Sequence, residues 1–246
     1  MKHITQQEIT DYVQDNIQTF HQRRLENLQK LKLLTVVKRK NPYLFKAKDI
    51  NTAQDYVKTI LEAHLSSQEE TIFGGFLEGL AIFICSQVYG GQKSSAEGID
   101  LEFLKNGIRY IVSIKSGPNW GNSNQVARLK NNFTKAKRIL RTNTSSANII
   151  AVNGCCYGKN QTPDRGEYYK YCGQQFWEFI SGNDNLYTEI IEPLGHQAKE
   201  RNEQFMQEYA KVINKFTLEF IHKFCDTDGT ILWEEIVKFN SEDTSP

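Results

Sequence analysis

The sequence predicts an α/β protein: a central mixed β-sheet flanked by helices, with helical additions at the N- and C-terminal ends. Three stretches carry that expectation. A two-stranded hairpin lies between Ile99 and Lys115, a strongly basic helix starts at Ser123 or Asn124, and an apolar strand runs from Ala147 to Asn153. Strand after helix after hairpin implies an α/β core. In chain order this gives a helical region over residues 1–66, the core over 67–182 and a second helical region over 183–246, or all three as one domain.

Residues 5–34 place Ile9, Val13, Ile17, Phe20, Leu25, Leu28 and Leu31 at spacings that suit one amphipathic helix, read as scaffold or dimer surface. Lys38-Arg39-Lys40 follows and stops before Pro42; it is either a solvated loop or a phosphate contact. Asn51 or Thr52 caps a second helix to about Leu65. Ser67-Gln68-Glu69-Glu70 has the form of a capping box and opens a third helix through Val88, which ends at Gly90-Gly91 and packs on the apolar face of the hairpin.

In the hairpin, Ile99, Leu101 and Phe103 alternate with Asp100 and Glu102, so both carboxylates project from one face. Asn106-Gly107 is the signal for a type I′ turn. The return strand puts Ile111, Ser113 and Lys115 on one side and Tyr110, Val112 and Ile114 on the other, with Lys115 level with the start of the first strand near Asp100. A carboxylate beside an ammonium has two readings. As a surface ion pair it contributes about 0–1 kcal/mol and no chemistry. Alternatively Asp100 and the backbone carbonyl of Ile114 hold Mg²⁺, a hard cation that takes oxygen ligands, while Lys115 positions a water and offsets transition-state charge in a metal-dependent nuclease site.

The next residues, Ser116-Gly117-Pro118-Asn119-Trp120-Gly121-Asn122, form a loop by their Gly and Pro content. Ser116, Asn119, Trp120 and Asn122 give it hydrogen-bonding and stacking side chains suited to touching a substrate. At Gly98-Ile99-Asp100-Leu101-Glu102-Phe103 and Ile114-Lys115-Ser116-Gly117-Pro118-Asn119 the chain resembles type II restriction endonucleases of the PD-(D/E)XK superfamily, in particular the PmeII-like branch. The resemblance covers roughly residues 70–180. It implies a restriction-endonuclease-like nuclease core, Mg²⁺ as cofactor, double-stranded DNA as substrate, and a short, partly degenerate, GC-rich palindrome of the GGNCC or GGWCC kind.

The chain departs from that pattern at Ser113, where the superfamily has Asp or Glu two residues before its lysine. Two acids are candidates to replace it. Glu102 shares a face with Asp100, about 6.6–7 Å along the strand, or is a solvated strand charge. Glu78 stands in the apolar run Phe73-Gly74-Gly75-Phe76-Leu77-Glu78-Gly79-Leu80, on a helix where the superfamily often places a further acid, or is a polar-face residue.

The helix after the loop carries Gln125, Arg128, Lys130, Lys135, Lys137, Arg138 and Arg141 and no acid, with Phe133, Ala136, Ile139 and Leu140 as its core side. It reads as a phosphate tracker or a solvated face, with Arg128, Lys135 and Arg138 as candidate DNA contacts. Gly154 to Lys159 reads as the loop leaving the apolar strand. Asp164 to Lys170 is a connecting loop, or reads bases through Arg165. Cys172 to Gly182 resembles a core run of the same enzymes, which makes Trp177 a packing residue. Residues 184–221 are mostly helical, with Phe205, Tyr209, Val212, Ile213, Phe216, Phe220 and Ile221 in one stripe. Asp226 to Glu235 superficially resembles an EF-hand loop, but Phe224 would fall at the first ligand position, so a helix-connecting turn is expected. Ser241 to Pro246 is expected as a frayed tail.

With 246 residues the chain can bury a sizeable core, and 39% hydrophobic with 24% charged residues describes an ordinary soluble protein. The net charge of +1 hides an uneven distribution and does not exclude nucleic acid. Five cysteines without a CxxC pair suggest neither a disulfide framework nor zinc. The N-terminus lacks an apolar targeting stretch and no segment approaches the length of a membrane span, so a cytoplasmic, non-membrane protein is expected. An Mg²⁺-dependent restriction endonuclease, acting as a homodimer on a two-fold site, accounts for Asp100, Lys115, the loop and the basic helix together. A repair or junction nuclease is the alternative within the same chemistry. A DNA-binding or helical interaction protein with a degenerate nuclease core accounts for Ser113.

Overall fold

A computed structural model describes residues 3–143 and 148–243. The elements in order are α1 (Gln6–Lys30), α2 (Leu33–Lys38), α3 (Pro42–Ala47), α4 (Ala53–Tyr89), β1 (Gln92–Lys93), β2 (Leu101–Lys105), β3 (Ile108–Lys115) and α5 (Ser123–Asn143). There follow β4 (Ile149–Cys155), β5 (Tyr169–Cys172), α6 (Gln174–Ser181), α7 (Leu186–Glu189), α8 (Ile191–Leu194), α9 (Ala198–Phe224) and α10 (Trp233–Ser241). The strands lie in the order β1-β2-β3-β4-β5, antiparallel from β1 to β3 and parallel from β3 to β5. This is the expected mixed sheet with flanking helices, a restriction-endonuclease-like α/β fold.

Two compact units divide the chain, and each draws on two separate stretches. The sheet unit comprises Met1–Gln18 with Phe73–His196, and the helical unit Thr19–Ile72 with Gln197–Pro246. In the sheet unit, α5 buries Leu129, Phe133 and Ala136 against Ile99, Ile111, Ile149 and Ala151 on one face of the sheet. On the other face Phe103 stacks between Tyr89 and Tyr110 at ring distances of 5.5 and 5.3 Å, with Phe179 of α6 completing the group. As expected, the helix before the hairpin packs on the apolar face of that hairpin. Trp177 is 1% exposed and donates its indole N–H to the Cys156 carbonyl, so it is a packing residue.

The helical unit closes over Tyr56, Val57, Ile60 and Leu61 of α4 and Phe205, Phe216, Phe220 and Phe224 of α9. The stripe on α9 is therefore largely buried within its own unit, with Ile221 left exposed and Leu218, outside the stripe, exposed beside it in the sequence.

Several local expectations fail. The second and third helices are one. Thr52 caps its start by accepting the Asp55 N–H at 3.1 Å, and Ser67, expected to cap a new helix, passes its carbonyl to Thr71 Oγ1 inside an uninterrupted one. No Gly or Pro breaks the segment from Ala53 to Phe73, so nothing local forces an end at Leu65. This helix is also long and apolar enough, by length and composition, to cross a membrane, contrary to expectation. A third of that apolar window, including Leu80, Ala81 and Ile84, is buried in protein.

The N-terminal helix ends at Lys30, and Leu33 opens a separate turn into the helical core. Ile139, expected on the core side of α5, is 56% exposed. β4 continues to Cys155, past the Asn153 boundary, and β1 and β5 replace stretches without an expected strand. Asp226 Oδ1 accepts the N–H groups of Asp228 and Thr230, which makes the expected helix-connecting turn. The tail expected from Ser241 begins on the last residue of α10, and residues 244–246 lie outside the described residues.

Candidate active site

The turn at Asn106-Gly107, both with φ above zero, closes the hairpin with Lys105 opposite Ile108. The register then carries Leu101 to Val112 and so brings Ser113, not Lys115, level with Asp100. Lys115 lies two residues further on, and by strand alternation it shares a face with Ser113 and Asp100. The expected pairing was thus displaced by one side-chain repeat, and the face was right.

Asp100 stands just ahead of β2, where its own N–H donates to the Val112 carbonyl at 2.8 Å. Its Oδ2 accepts the Ile114 N–H at 2.6 Å and the Ser113 hydroxyl at 3.3 Å. These bonds orient the carboxylate, and Ser113 is 1% exposed beneath it. The N–H and C=O of one strand residue project to the same side. The Ile114 carbonyl therefore also faces β2, beyond the last paired residue. Gly98 turns the chain into Asp100 with φ 73°, and a Cβ there would fall 2.0 Å from Asn132 Nδ2, so both conformation and space require glycine.

Lys115 is half-buried, with Nζ 5.5 Å from the centroid of the Trp120 ring. Ser113, Lys115, Trp120, Gln125 and Arg128 line one cleft of about 400 Å³. Trp120 is partly buried, and its indole N–H donates to Asn153 Oδ1 at 3.0 Å. Asn153, 0% exposed, donates in turn to the Ser113 carbonyl at 3.1 Å. The loop is held from a second side by Lys170, whose ammonium donates to the Pro118 carbonyl at 2.7 Å. Sequence reasoning missed Asn132, Asn153 and Lys170. Of these only Asn153 left a local signal, as a polar residue directly after the apolar run from Ile149 to Val152 and within the expected strand.

The remaining candidates are placed as follows. Asn122 and Gln125 cap α5 reciprocally, each side-chain oxygen accepting the other residue's N–H, at 3.1 and 3.0 Å. Ser116 is half-buried and Asn119 exposed. Arg128 is exposed and paired with Glu97 at 3.3 Å. Lys135 and Arg138 are exposed on α5, and Arg165 is exposed and donates to Asn160. Asn119, Asn122, Lys135, Arg138 and Arg165 lie outside the lining of the cleft.

The two substitute acids are not alike. Glu102 accepts from Ser94 Oγ and faces Arg109 at 3.8 Å, with its side chain 14% exposed. Glu78 is 32% exposed and pairs with Lys93 at 3.5 Å. One turn before it, a Cβ on Gly74 would meet Ser116 Cβ at 3.6 Å, so this side of α4 faces the residue after Lys115. Among the described residues no group of three or more His, Cys, Asp or Glu side chains is assembled to hold a metal ion.

What is assembled is an oriented carboxylate and a strand-edge carbonyl, both hard oxygen donors. That set fits Mg²⁺, which takes one or two carboxylates and leaves its other positions to waters and substrate phosphate. The neighbouring thiols do not fit it. Burial pushes Cys155 up to about 12, with adjacent Cys172 adding to the rise, and burial raises Cys156 further.

No curated protein matches the chain. A family model does, over residues 7–202, a span that includes the whole sheet, the cleft and the helices on both faces. By that match the chain belongs to the type II restriction endonuclease EcoO109I family.

Proposed function

We propose that this restriction endonuclease makes Mg²⁺-dependent double-strand cuts in DNA at a short, GC-rich palindromic site, acting as a homodimer. The observation that carries the reading is the oriented Asp100 carboxylate beside the outward Ile114 carbonyl, with Lys115 on the same face at the cleft. Asp100 and the Ile114 carbonyl would hold the ion. Mg²⁺ when bound supplies Lewis-acid stabilisation of phosphoryl charge and acidifies water. The Lys115 ammonium orients the attacking water and offsets charge as the new P–O bond forms and the bond to the leaving sugar oxygen breaks. Trp120, fixed by Asn153, holds the wall beside that ammonium.

Glu78 supplies the acid missing at Ser113. Its pairing with Lys93 is of the exposed kind that contributes about 0–1 kcal/mol, so the carboxylate is free to turn, whereas Glu102 is held by two partners. The exposed cations of α5, Lys135 and Arg138, track the DNA backbone beyond the cleft, with Arg128 at its rim. Ser116, Asn119, Asn122, Gln125 and Arg165 offer further hydrogen bonds to DNA from the loop, the α5 cap and the β4–β5 connection. The GGNCC or GGWCC kind of site is supported by the resemblance of Gly98 to Phe103 and Ile114 to Asn119 to the PmeII-like branch. A two-fold site is matched by a two-fold dimer, for which Leu218 and Ile221 on α9 offer apolar surface.

The test is digestion of a long duplex with Mg²⁺ and with EDTA. Discrete fragments with Mg²⁺ alone, with ends mapping to one palindrome, are expected. Preference for branched DNA would instead select a junction nuclease. A second reading, a DNA-binding protein with a degenerate core, is favoured by Ser113 in place of an acid; binding without cleavage under any divalent ion would select it.

A further inference from the structure

The helical unit holds a polar cavity of about 450 Å³ that the nuclease chemistry does not use. Its lining includes Asn27, Arg39, Lys40, His64, Ser67 and Gln68, and no carboxylate. Arg39 and Lys40 belong to the basic triplet ahead of Pro42, and neither forms an ion pair among the described residues. Their backbone is pinned. Asn240 Nδ2 donates to the carbonyls of Val37, Lys38 and Lys40 at 3.0–3.2 Å, so the two cations stand on a fixed turn. His64 is 7% exposed, and its buried Nε2 has no hydrogen-bond partner. Gln68 Oε1 is likewise buried without one.

We propose that this cavity binds a phosphate group. Two cations held at one opening without an acid repel each other, and an anion between them removes that cost. Arginine offers a planar fork that matches two phosphate oxygens, and lysine adds a point charge. The Ser67 hydroxyl, the Asn27 amide and the His64 ring nitrogen are neutral donors that complete such a shell. Unpaired buried polar atoms are destabilising, and a bound oxyanion gives His64 Nε2 the acceptor it lacks. Burial, with Lys40 and Arg39 alongside, holds the His64 imidazole below its ordinary range, so at neutral pH the ring donates without adding a third charge. The group is either a backbone phosphate of bound DNA or a free phosphate. The inference rests on the cavity alone and stands whether or not the sheet unit cuts DNA.

The experiment titrates inorganic phosphate into the full chain and follows the His64 ring signals by NMR, with chloride at equal ionic strength as control. In parallel, DNA affinity is measured against salt in Ca²⁺ for the wild type and for Arg39→Ala/Lys40→Ala, at an exposed and a half-buried position outside the hydrophobic core; thermal melting checks the fold. A saturable, phosphate-specific shift that the double variant loses is expected. If the DNA salt slope also falls, by about 1 for each lost contact, the phosphate belongs to DNA. An unchanged slope assigns the cavity to free phosphate. A reduced slope without a phosphate shift supports the DNA source. No shift together with an unchanged slope, or a shift that survives the double substitution, overturns the proposal.

Discussion

In the sheet unit the buried polar side chains include Ser113, Asn132 and Asn153, gathered around the strand ends that carry Asp100 and Lys115. In the helical unit the interior is Tyr56, Leu61, Phe216, Phe220 and their neighbours, with His64 as a buried polar side chain among them. The first kind of interior is costly unless every polar group finds a partner, and each partner restricts geometry. The second kind stabilises by burial and restricts little. The polar part of the sheet unit's interior therefore aims chemical groups, and the apolar core of the helical unit packs. Substitutions separate the two roles.

The largest effect is expected at the aimed groups. Asp100→Ala and Lys115→Ala each lower cleavage by at least about a hundredfold to a thousandfold while the melting temperature and DNA affinity in Ca²⁺ stay near wild type. Full cutting by either variant would remove the assignment of the cleft.

Phe220→Ala in the helical unit reverses the pattern. Its ring is 0% exposed and stacks on Tyr56 at 4.7 Å, so the change destabilises by about 3–5 kcal/mol in denaturant, with the cleavage rate of the remaining folded protein little altered. A loss of cleavage without loss of stability would erase the contrast between the units.

Asn153→Ala tests whether a buried polar bridge aims the site. It leaves the Trp120 indole and the Ser113 carbonyl without their partner, a cost of about 1–3 kcal/mol in stability. The cleavage rate is expected to fall further than DNA affinity, because Trp120 stands beside Lys115. Equal losses of rate and affinity would make Asn153 a packing residue like those of the helical unit.

The choice of third acid is sharper still. Glu78→Gln is expected to lower cleavage well beyond Ser113→Ala, which removes one hydrogen bond worth about 0.5–1.5 kcal/mol. With the opposite ranking, Glu78 is scaffold and Glu102 becomes the candidate.

The smallest effect concerns thiols. Burial pushes Cys85 and Cys155 up to about 12, and it raises Cys156, so at pH 8 these groups stay protonated and unreactive. Half-buried Cys225 is expected to alkylate first in the native protein, with the buried thiols following only on unfolding. Early labelling of Cys155, which lies in register with Lys115, would mean that the sheet unit opens near its site.

The sequence by itself determined the hairpin, because alternation and an Asn-Gly turn act between neighbouring residues and set the face that Asp100, Ser113 and Lys115 share. It determined the basic helix and the apolar strand after it for the same reason. Tertiary structure decided what no local rule carries. The two helices expected around Leu65 are one because a Ser-x-x-Glu pattern caps only where a helix starts, and at Ser67 the helix is already running. β1 and β5 exist through pairing with Glu102 and Leu101 and with the end of β4, and at two and four residues they have no period of their own to read. Glu102 and Asp100 are equivalent by spacing. Ser94 and Arg109 engage the one, and the Ile114 N–H orients the other, because hydrogen bonds between strands are chosen by register and not by residue type.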